Sequence, residues 1–348
     1  MNTTISLVQS LRELSPAAQH HILQLRLSSV TGLRDWFDVA DALLAVDAID
    51  RGLAVLTRGE LIMVAESAVS AQLLERLRLL GLASSDGVYP EVTARAQERM
   101  PAESSPAVET TVALDARVER ASLERATTLV ALIDELIELM RKRGLRTVSR
   151  GSISAADATR VAAAINGLPE DLSGLLGLLK SAGLADVNSG IWNIADTTEW
   201  NNGGVAARWG ILATGWVNGL SAQLREALTE RANWGEPLTG YIEWLFPIDA
   251  SPTLTEAQRA LVHAQDLGLR IGDARTSAGV LVVTGKATEA VKMVAALLPD
   301  YIDQVLVQSD LTIIAPGPLR PDLEAKLRAI ANVESRSVAS TYRLSPIL

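Results

Sequence analysis

Asp303-Gln-Val-Leu-Val-Gln-Ser-Asp-Leu-Thr-Ile-Ile-Ala-Pro-Gly-Pro-Leu-Arg-Pro-Asp-Leu-Glu-Ala-Lys-Leu327 decides the fold of the last part of the chain. Polar and apolar residues alternate within part of residues 305–315, and the later residues are mostly apolar. This pattern is typical of a half-buried strand or a tight pair of strands. The triplet at residues 316–318 ends this pattern, because proline cannot donate to a sheet ladder and glycine tolerates positive φ. A new element must therefore begin after it.

That element is predicted to be a helix over residues 319–331. The apolar residues at helical spacing are Leu319, Leu323, Leu327 and Ile330. Pro321 and Asp322 fall in the first turn, where a missing N–H and a negative charge are both tolerated. Asn332-Val-Glu-Ser-Arg and Ser340-Thr-Tyr-Arg-Leu-Ser then predict two short strands. Together with the α-helical patterns of the preceding sequence, this predicts a mainly α protein with α+β parts.

Composition excludes several classes of function. The chain has 348 residues, a net charge of −9 and no cysteine, so disulfides, thiolate zinc sites, iron–sulfur clusters and cysteine nucleophiles are all excluded. The three histidines are His20, His21 and His263, and adjacent helical histidines do not form a metal pair. A phosphate-binding loop and a nucleophile elbow are also missing from the sequence. We expect no enzyme activity, cofactor or metal.

No stretch reaches the roughly 18 apolar residues of a membrane span, and the first residues do not resemble a signal peptide. We therefore expect a cytoplasmic protein without membrane association, with attachment to the nucleoid left open. The expected domains are a helical, winged-helix-like domain (1–99), a flexible linker (100–114), a second winged-helix-like domain with a Trp-rich helical extension (115–250) and a small α/β domain (251–348).

The winged-helix prediction depends on helices that are followed by short hairpins. Asp86-Gly87 marks one hairpin tip and Asn188-Ser-Gly190 another. Leu77-Arg-Leu-Leu-Gly-Leu-Ala and Leu179-Lys-Ser-Ala-Gly-Leu-Ala precede them, which favours an internal duplication. In the third domain we expect a helix from Leu254, a β-rich run at residues 278–284 and a helix over residues 287–298. A single helix is expected over residues 33–56.

Six tryptophans fall between residues 192 and 244. Trp209 and Trp216 are seven residues apart and so share a helix face, which favours the core over an exposed platform. Trp234 and Trp244 lie in a connection rich in glycine and proline. They are predicted to form a binding surface or a domain interface.

One cluster of positive charge departs from the acidic composition. We call it the basic patch: Arg141, Lys142, Arg143, Arg146 and Arg150. Two roles are open to these residues. Cations at a helix C-terminus complement the helix dipole and stay solvated, or the same cations contact the phosphates of a nucleic acid. The helix at residues 169–182 carries little positive charge, and its leucines favour core or interface. Arg76 and Arg78 of the first module are further candidates for nucleic-acid contact.

Several motifs resemble a known family. Gln308-Ser-Asp-Leu-Thr, Pro316-Gly-Pro, Glu334-Ser-Arg and Thr341-Tyr-Arg-Leu look like the N-terminal domain of XPB-type repair helicases. The same pattern occurs in actinobacterial helicase-associated proteins that carry no helicase motor. Residues 145–184 and Ala207-Arg-Trp-Gly-Ile-Leu-Ala-Thr-Gly-Trp also resemble that second family. The resemblance covers most of the chain and is closest after residue 250.

The resemblance implies a non-enzymatic accessory or scaffold protein of DNA repair or DNA metabolism. Its C-terminal domain would dock an XPB-type helicase, a similar partner or another copy of the domain, through residues 305–318 and 334–343. The residues expected to take part are Gln308, Asp310, Thr312, Glu334, Arg336, Tyr342 and Arg343. Ion pairing between strands, of Glu334 or Asp310 with Arg336 or Arg343, is a structural role open to the same charges.

The alternative function is a winged-helix DNA-binding or transcription-regulator module that uses the basic patch. The net negative charge weighs against nonspecific duplex binding. The chain stops at Ser345-Pro-Ile-Leu, before the segment that usually continues the family's pattern. We therefore expect a truncated or naturally shortened protein.

Overall fold

The computed structural model describes residues 3–109, 115–148, 152–165, 167, 171–336 and 340–344. In chain order it begins with α1 (Thr3–Glu13), α2 (Pro16–Arg26), α3 (Trp36–Leu44), α4 (Val46–Leu53), α5 (Arg58–Ala65), α6 (Ala71–Leu79), β1 (Ala83–Ser84), β2 (Gly87–Val88), α7 (Pro90–Glu98) and α8 (Ala116–Lys142). It continues with β3 (Leu145–Arg146), α9 (Ala155–Ala164), α10 (Leu172–Ser181), β4 (Ala185–Asn188), β5 (Ile191–Ile194), α11 (Thr198–Asn202), α12 (Val205–Asn218), α13 (Ala222–Glu230) and α14 (Glu236–Leu245). The last elements are α15 (Ser251–Asp266), β6 (Arg270–Ile271), β7 (Ala274–Arg275), α16 (Ser277–Val283), α17 (Ala287–Leu297), β8 (Leu306–Val307), β9 (Thr312–Ala315), α18 (Pro321–Ile330), β10 (Ala331–Arg336) and β11 (Ser340–Leu344).

These elements confirm the predicted class, mainly α with α+β parts. They form two compact units, one of residues 1–108 and 236–255 and the other of residues 109–235 and 256–348. The four domain ranges expected from the sequence are a different subdivision and stay a prediction. No helix in the described part of the chain is both long and apolar enough to cross a membrane.

The core of the first unit surrounds a buried arginine. Arg26, at the end of α2, is fully buried. Its guanidinium donates to the carbonyls of Gly81 at 2.5 Å, Leu80 at 3.3 Å and Ala48 at 3.2 Å, and also to the carbonyl of Leu43. Carbonyls at helix ends lack intrahelical partners and carry the negative end of the helix dipole. One side chain therefore stabilises the ends of α3 and α6.

Within the described residues, a helix, a glycine and a short hairpin follow one another in three places. In each copy a glycine with φ between 67° and 73° follows the helix, and the next residue is a buried leucine whose N–H bonds back to the helix at 2.8 or 2.9 Å. This geometry is a Schellman-type cap, in which the left-handed conformation favours glycine. The glycine and leucine pairs are Gly81 and Leu82, Gly183 and Leu184, and Gly268 and Leu269. The third pair adds a copy to the two that the sequence comparison suggested.

The second unit begins with the order α8, β3, α9, α10, β4, β5. Its small sheet has the antiparallel order β3-β5-β4. Asn188 pairs with Ile191, and the two hairpin residues Ser189 and Gly190 both have positive φ, as a two-residue type I′ turn requires. Asp157 joins β3 to α9, because its carboxylate accepts from the Arg146 N–H at 2.9 Å and from the Ser154 hydroxyl at 2.9 Å.

Helix α12 lies at the centre of this unit. It packs against α8, α10, α16 and α17, and a Cβ at Gly215 would come within 2.6 Å of the Ala182 backbone. Close approach of α10 to α12 therefore depends on glycine at this position. Trp209 and Trp216 are buried on α12, which confirms their predicted place in the core. The indole N–H groups donate to the carbonyls of Leu267 and Ala260, both at 2.9 Å.

The last domain is a four-stranded antiparallel sheet in the order β10-β11-β9-β8, with α18 packed on one face. Its small core contains Ile313, Ala315, Leu319, Leu327, Ala331 and Tyr342. Of the two alternatives predicted for residues 305–315, a single strand or a tight pair, the structure has the pair. The helix after it and the two final strands were also predicted from the sequence.

Two predictions of local structure were wrong. Residues 278–284 are not β-structure but lie largely in α16, where the Thr276 side chain accepts from the Gly279 N–H at 3.2 Å as an N-cap. The single helix expected over residues 33–56 is two helices, α3 and α4, separated by an extended Ala45. Helices α5 and α7 were not predicted, and α14 contains Trp244, for which a connection had been expected.

Candidate functional site

The four-stranded sheet has one face that α18 does not cover. Directly opposed residues of antiparallel strands share a face, so the register places Leu306 with Ile314 and Thr341, and Thr312 with Arg343. We call Leu306, Thr312, Ile314, Thr341 and Arg343 the outer face. Leu306 is 59% exposed, and Arg343, two strands away on β11, is also exposed. The outer face thus combines exposed apolar and charged groups.

The turn between β8 and β9 presents a second exposed leucine. The Gln308 N–H donates to the Thr312 carbonyl at 2.7 Å, and the Leu311 N–H donates to the Gln308 carbonyl at 3.2 Å. Leu311 has φ +68° and is 59% exposed. Glycine or asparagine is usual at such a position, since a larger side chain costs about 1 kcal/mol there. Backbone strain of this kind is often found at functional sites.

Asp310, Glu334 and Arg343, three of the charged residues predicted for docking, lie around this face. Arg343 forms an ion pair with Glu334, as expected for neighbouring strands. This hydrogen bond raises the pKa of Arg343. Asp310 accepts from the Thr312 N–H at 3.0 Å, which lowers the pKa of its carboxyl group. Arg336 lies in β10 and pairs with Ser340.

Two of the predicted docking residues, Tyr342 and Thr312, are buried. Tyr342 is only 2% exposed and belongs to the cluster between the sheet and α18, because its position in β11 points it away from the outer face. Thr312 lies on the outer face but is only 6% exposed. Gln308 and Asp310 are exposed in the turn.

Some side chains of the basic patch are engaged in hydrogen bonds or ion pairs within the chain, and others are exposed. Arg141 donates to the Thr197 hydroxyl at 2.5 Å and to the Asn201 side chain at 3.2 Å, and it pairs with Glu138. Arg143 lies 3.8 Å from the Asp157 carboxylate but is 63% exposed. Lys142 and Arg146 are exposed. Arg150 lies outside the described residues.

The two arginines of the first module are paired with carboxylates. Arg76 forms an ion pair with Glu60 and donates to the Val55 carbonyl at 3.0 Å. Arg78 lies 2.8 Å from Glu75 and 3.5 Å from Glu13. A phosphate at this place would have to displace these interactions.

The two candidate tryptophans differ. Trp234 is fully buried, and its indole N–H donates to the carbonyls of Leu228 and Arg231, both at 3.0 Å. The prediction of a surface role is therefore wrong for Trp234, because the end of α13 supplies the partners that its N–H needs.

Trp244 is partly exposed and stacks on Tyr241 at 5.6 Å. The guanidinium of Arg58 lies 5.1 Å from the Trp244 ring centre, and the indole N–H donates to the Ser104 carbonyl at 3.0 Å. Residues 101–109, which were predicted to be linker, have no helix or strand. Arg58 also donates to the Ala102 carbonyl at 2.9 Å, so Trp244 and Arg58 anchor this segment at two carbonyls.

A pocket that sequence reasoning missed lies where α18 meets α8, α11 and α12. It has a volume of about 250 Å³, and its polar lining includes Asp134, Glu138, Arg141, Asn201, Arg208 and Glu324. Arg208 pairs with Asp134 at 2.8 Å, and Trp200 donates to the same carboxylate at 2.7 Å. The only sequence signal was an arginine beside Trp209 in an otherwise apolar helix. In the part of the chain that the structure describes, no group of three or more His, Asp or Glu residues is placed to hold a metal ion.

No curated protein is significantly similar to the chain. Residues 305–347 match a family described as the helicase conserved C-terminal domain. The described part of this match comprises β8, β9, α18, β10 and β11, and so includes the outer face and the strained turn. The match indicates a helicase-associated C-terminal domain at this end of the chain.

Proposed function

We propose that this chain is a non-enzymatic accessory protein of DNA repair or DNA metabolism that docks a helicase through its C-terminal domain. The observation that carries the proposal is the helicase-associated match over residues 305–347, on a sheet with one uncovered face. The finer resemblance to the N-terminal domain of XPB-type helicases and to actinobacterial helicase-associated proteins makes an XPB-type helicase of the same cell the expected partner.

The chemistry of the outer face supports protein docking. Leu306 and Ile314 are opposed apolar residues, and Arg343 with its partner Glu334 lies toward the far side of the sheet. Apolar groups at the centre of a contact with arginine among them are typical of protein interfaces. Leu311 adds an apolar side chain that the fold holds in a strained conformation.

Binding of the purified full chain to an XPB-type helicase tests the proposal. Arg343→Glu should weaken binding at least tenfold, since like charges across a contact cost several kcal/mol. The double variant Glu334→Arg with Arg343→Glu is the matched control for folding, because it restores the ion pair with the charges exchanged. Weak binding by both variants supports docking at this face. Unchanged binding by both would refute it.

A second function is favoured by the order α8, β3, α9, α10, β4, β5 and the sheet order β3-β5-β4, which are typical of a winged helix. Lys142, Arg143 and Arg146 are exposed near the hairpin of β4 and β5, where the Thr147 N–H donates to the Gly190 carbonyl at 2.8 Å. Three cations at this place can contact phosphates. Helix α10 offers few side chains for DNA contact, since Leu175, Leu176, Leu178 and Leu179 are buried.

Titration with single-stranded, duplex and forked DNA at about 50 and 200 mM salt tests this second function, because phosphate contacts weaken steeply with salt. Changing Lys142, Arg143 and Arg146 to Glu should abolish the salt-sensitive binding. The matched control changes Arg12, Arg34 and Lys292 to Glu, which alters the net charge equally at other exposed positions. Equal losses in both variants would show a general effect of net charge and refute a local DNA site.

A further inference from the structure

The two edges of the C-terminal sheet are protected to different degrees. At one edge, β10 has a register shift between Val333 and Ser335, and Glu334 and Arg336 lie in this strand. Bulges and charges prevent edge strands from pairing with other chains. At the other edge, β8 lies in Gln304-Val-Leu-Val-Gln308, which has no charge, proline or glycine. Leu306 and Val307 are 59% and 66% exposed, so this edge has none of those protections.

The register shows which backbone groups β8 presents at its free edge. Gln308 donates to Thr312 at 2.7 Å, so these two residues form a hydrogen-bonded pair, and Leu306 with Ile314 is the next such pair along the ladder. Residues of an antiparallel strand alternate in the direction of their N–H and C=O groups. The backbone groups of Val305 and Val307 therefore point away from β9, toward the free edge.

The sequence of this edge is a palindrome. Gln304-Val-Leu-Val-Gln308 reads the same in both directions, so two antiparallel copies centred on Leu306 match at every position. Leu306 then faces Leu306, Val305 faces Val307, and Gln304 faces Gln308. Just outside the palindrome, Asp303 faces Ser309, so no like charges are directly opposed.

We propose that the β8 edge binds the β8 edge of a second copy of this chain, antiparallel and centred on Leu306. Val305 of each copy exchanges both backbone hydrogen bonds with Val307 of the other, because these are the residues whose groups point outward. Leu306 of the two copies forms the central, non-hydrogen-bonded pair, in which side chains lie closest. The result is one sheet of eight strands.

This pairing accounts for the exposed apolar groups of the strand. Val307 shares a face with Ile313 and the core yet is 66% exposed, and Val305 of the second copy would lie directly beside it. Leu306 would be covered by its counterpart on the outer face. The backbone bonds of Ile302 with Pro318 and Arg320 lie outside the five paired residues, so the pairing leaves them intact.

The proposal goes beyond helicase docking and does not depend on it. The two can fail separately, because the docking test changes Glu334 and Arg343 on β10 and β11, whereas self-pairing uses the backbone of β8. A chain that binds helicase as a monomer would overturn the self-pairing alone.

The absence of native cysteine allows a direct test by disulfide formation. The single-cysteine variant Leu306→Cys places two thiols at the twofold axis, where opposed Cβ atoms lie about 4.5–5.5 Å apart. It should form a covalent dimer at micromolar concentration at least tenfold faster than Val307→Cys, since residue 307 is opposite residue 305. Leu297→Cys is the matched surface control, because Leu297 is also about half exposed, at 52%. Equal rates for all three variants, or no dimer with Leu306→Cys, would overturn the proposal.

Sedimentation of the unmodified full chain provides the second measurement. We expect a concentration-dependent dimer that Leu306→Lys dissociates, because this change places two lysines against each other at an otherwise uncharged edge. Leu297→Lys should leave the dimer unchanged. Far-UV circular dichroism confirms that each variant is folded. A wild-type chain that stays monomeric up to about 100 μM would refute the pairing, since even a Kd of that size corresponds to only about 5–6 kcal/mol.

Discussion

The guanidinium of Arg208 lies 2.8 Å from the carboxylate of Asp134, and both side chains are more than nine-tenths buried. Trp200 donates to the same carboxylate, and Glu324 of α18 lies 4.0 Å from Arg208. Removing one member of a buried pair leaves the other charge uncompensated, at a cost of about 3–5 kcal/mol. We therefore expect Asp134→Leu to lower the free energy of unfolding by about that amount, measured by urea denaturation.

The double variant Asp134→Leu with Arg208→Met tests whether the loss comes from leaving one buried charge without its partner. Replacing both charges with apolar groups of similar size is often close to neutral, so the double variant should be more stable than either single variant. Asp186→Asn is the control. It breaks the Lys180–Asp186 pair, whose side chains are both 57% exposed, and should leave the unfolding midpoint almost unchanged. A double variant less stable than both single variants would contradict the prediction.

Arg26 supports a prediction about the first unit. Burial lowers the pKa of Arg26 to about 10, so the side chain stays charged at neutral pH while it donates to four carbonyls. Arg26→Met keeps the length of the side chain but leaves these carbonyls without a charged donor. We expect a loss of about 3 kcal/mol or more in urea denaturation, since each buried unsatisfied group costs about 1–3 kcal/mol.

Arg26→Lys separates charge from geometry. Lysine keeps the charge but has no planar fork of donors, so the loss should be smaller than for methionine and still measurable. If Arg26→Met unfolded at the same urea concentration as the wild type, the hydrogen bonds from Arg26 to these carbonyls would not contribute to stability.

Local patterns in the sequence were sufficient for most of the C-terminal domain. The paired strands, the proline breaker and the α18 periodicity all lie within about thirty residues, so short-range rules apply. Residues 278–284 show the limit of these rules. Gly279-Val-Leu-Val-Val reads as a strand by propensity, but the cap at Thr276 and burial of Val282 and Val283 make it a helix, because tertiary packing overrides propensity.

The candidate pocket could not be predicted for a different reason. Asp134 and Arg208 are 74 residues apart in the chain. Asp134 looks like an ordinary surface residue of a helix, so no local pattern links it to Arg208. Trp234 is the converse case. Its sequence neighbours suggest a loop surface, and only the folded chain shows that the carbonyls of Leu228 and Arg231 satisfy its N–H. Long-range pairs of this kind leave no periodic signal.

Two aspartates should make the protein sensitive to acid. Hydrogen bonds, first from the Arg146 backbone for Asp157 and from the Arg95 side chain for Asp50, lower both carboxyl pKa values from 3.8 to about 2. Stabilisation by a carboxylate with a lowered pKa is present above the unfolded-state value and disappears as pH falls from 3.8 toward 2. Each group should contribute on the order of 1–2 kcal/mol to the free energy of unfolding at neutral pH.

The change Asp157→Asn tests this pH dependence. The variant should be less stable than the wild type at about pH 6, and the difference should shrink as the pH falls toward about 2, where the wild-type carboxylate is protonated too. Thermal unfolding followed at a series of pH values measures the difference. A constant difference across that range would show that Asp157 acts through packing and not through its charge.

Leu311 is expected to destabilise the isolated chain. Its φ of +68° costs a leucine about 1 kcal/mol, whereas asparagine tolerates the left-handed region. Leu311→Asn should therefore stabilise the protein by about 0.5–1 kcal/mol in thermal or urea unfolding, and weaken helicase binding if the exposed leucine is a contact. Leu306→Asn is a closely matched control, because Leu306 is also 59% exposed but lies in an extended strand. There asparagine is disfavoured and the variant should be less stable than the wild type. At concentrations low enough to keep the chain monomeric, equal effects of the two substitutions would show that the backbone at Leu311 is not strained.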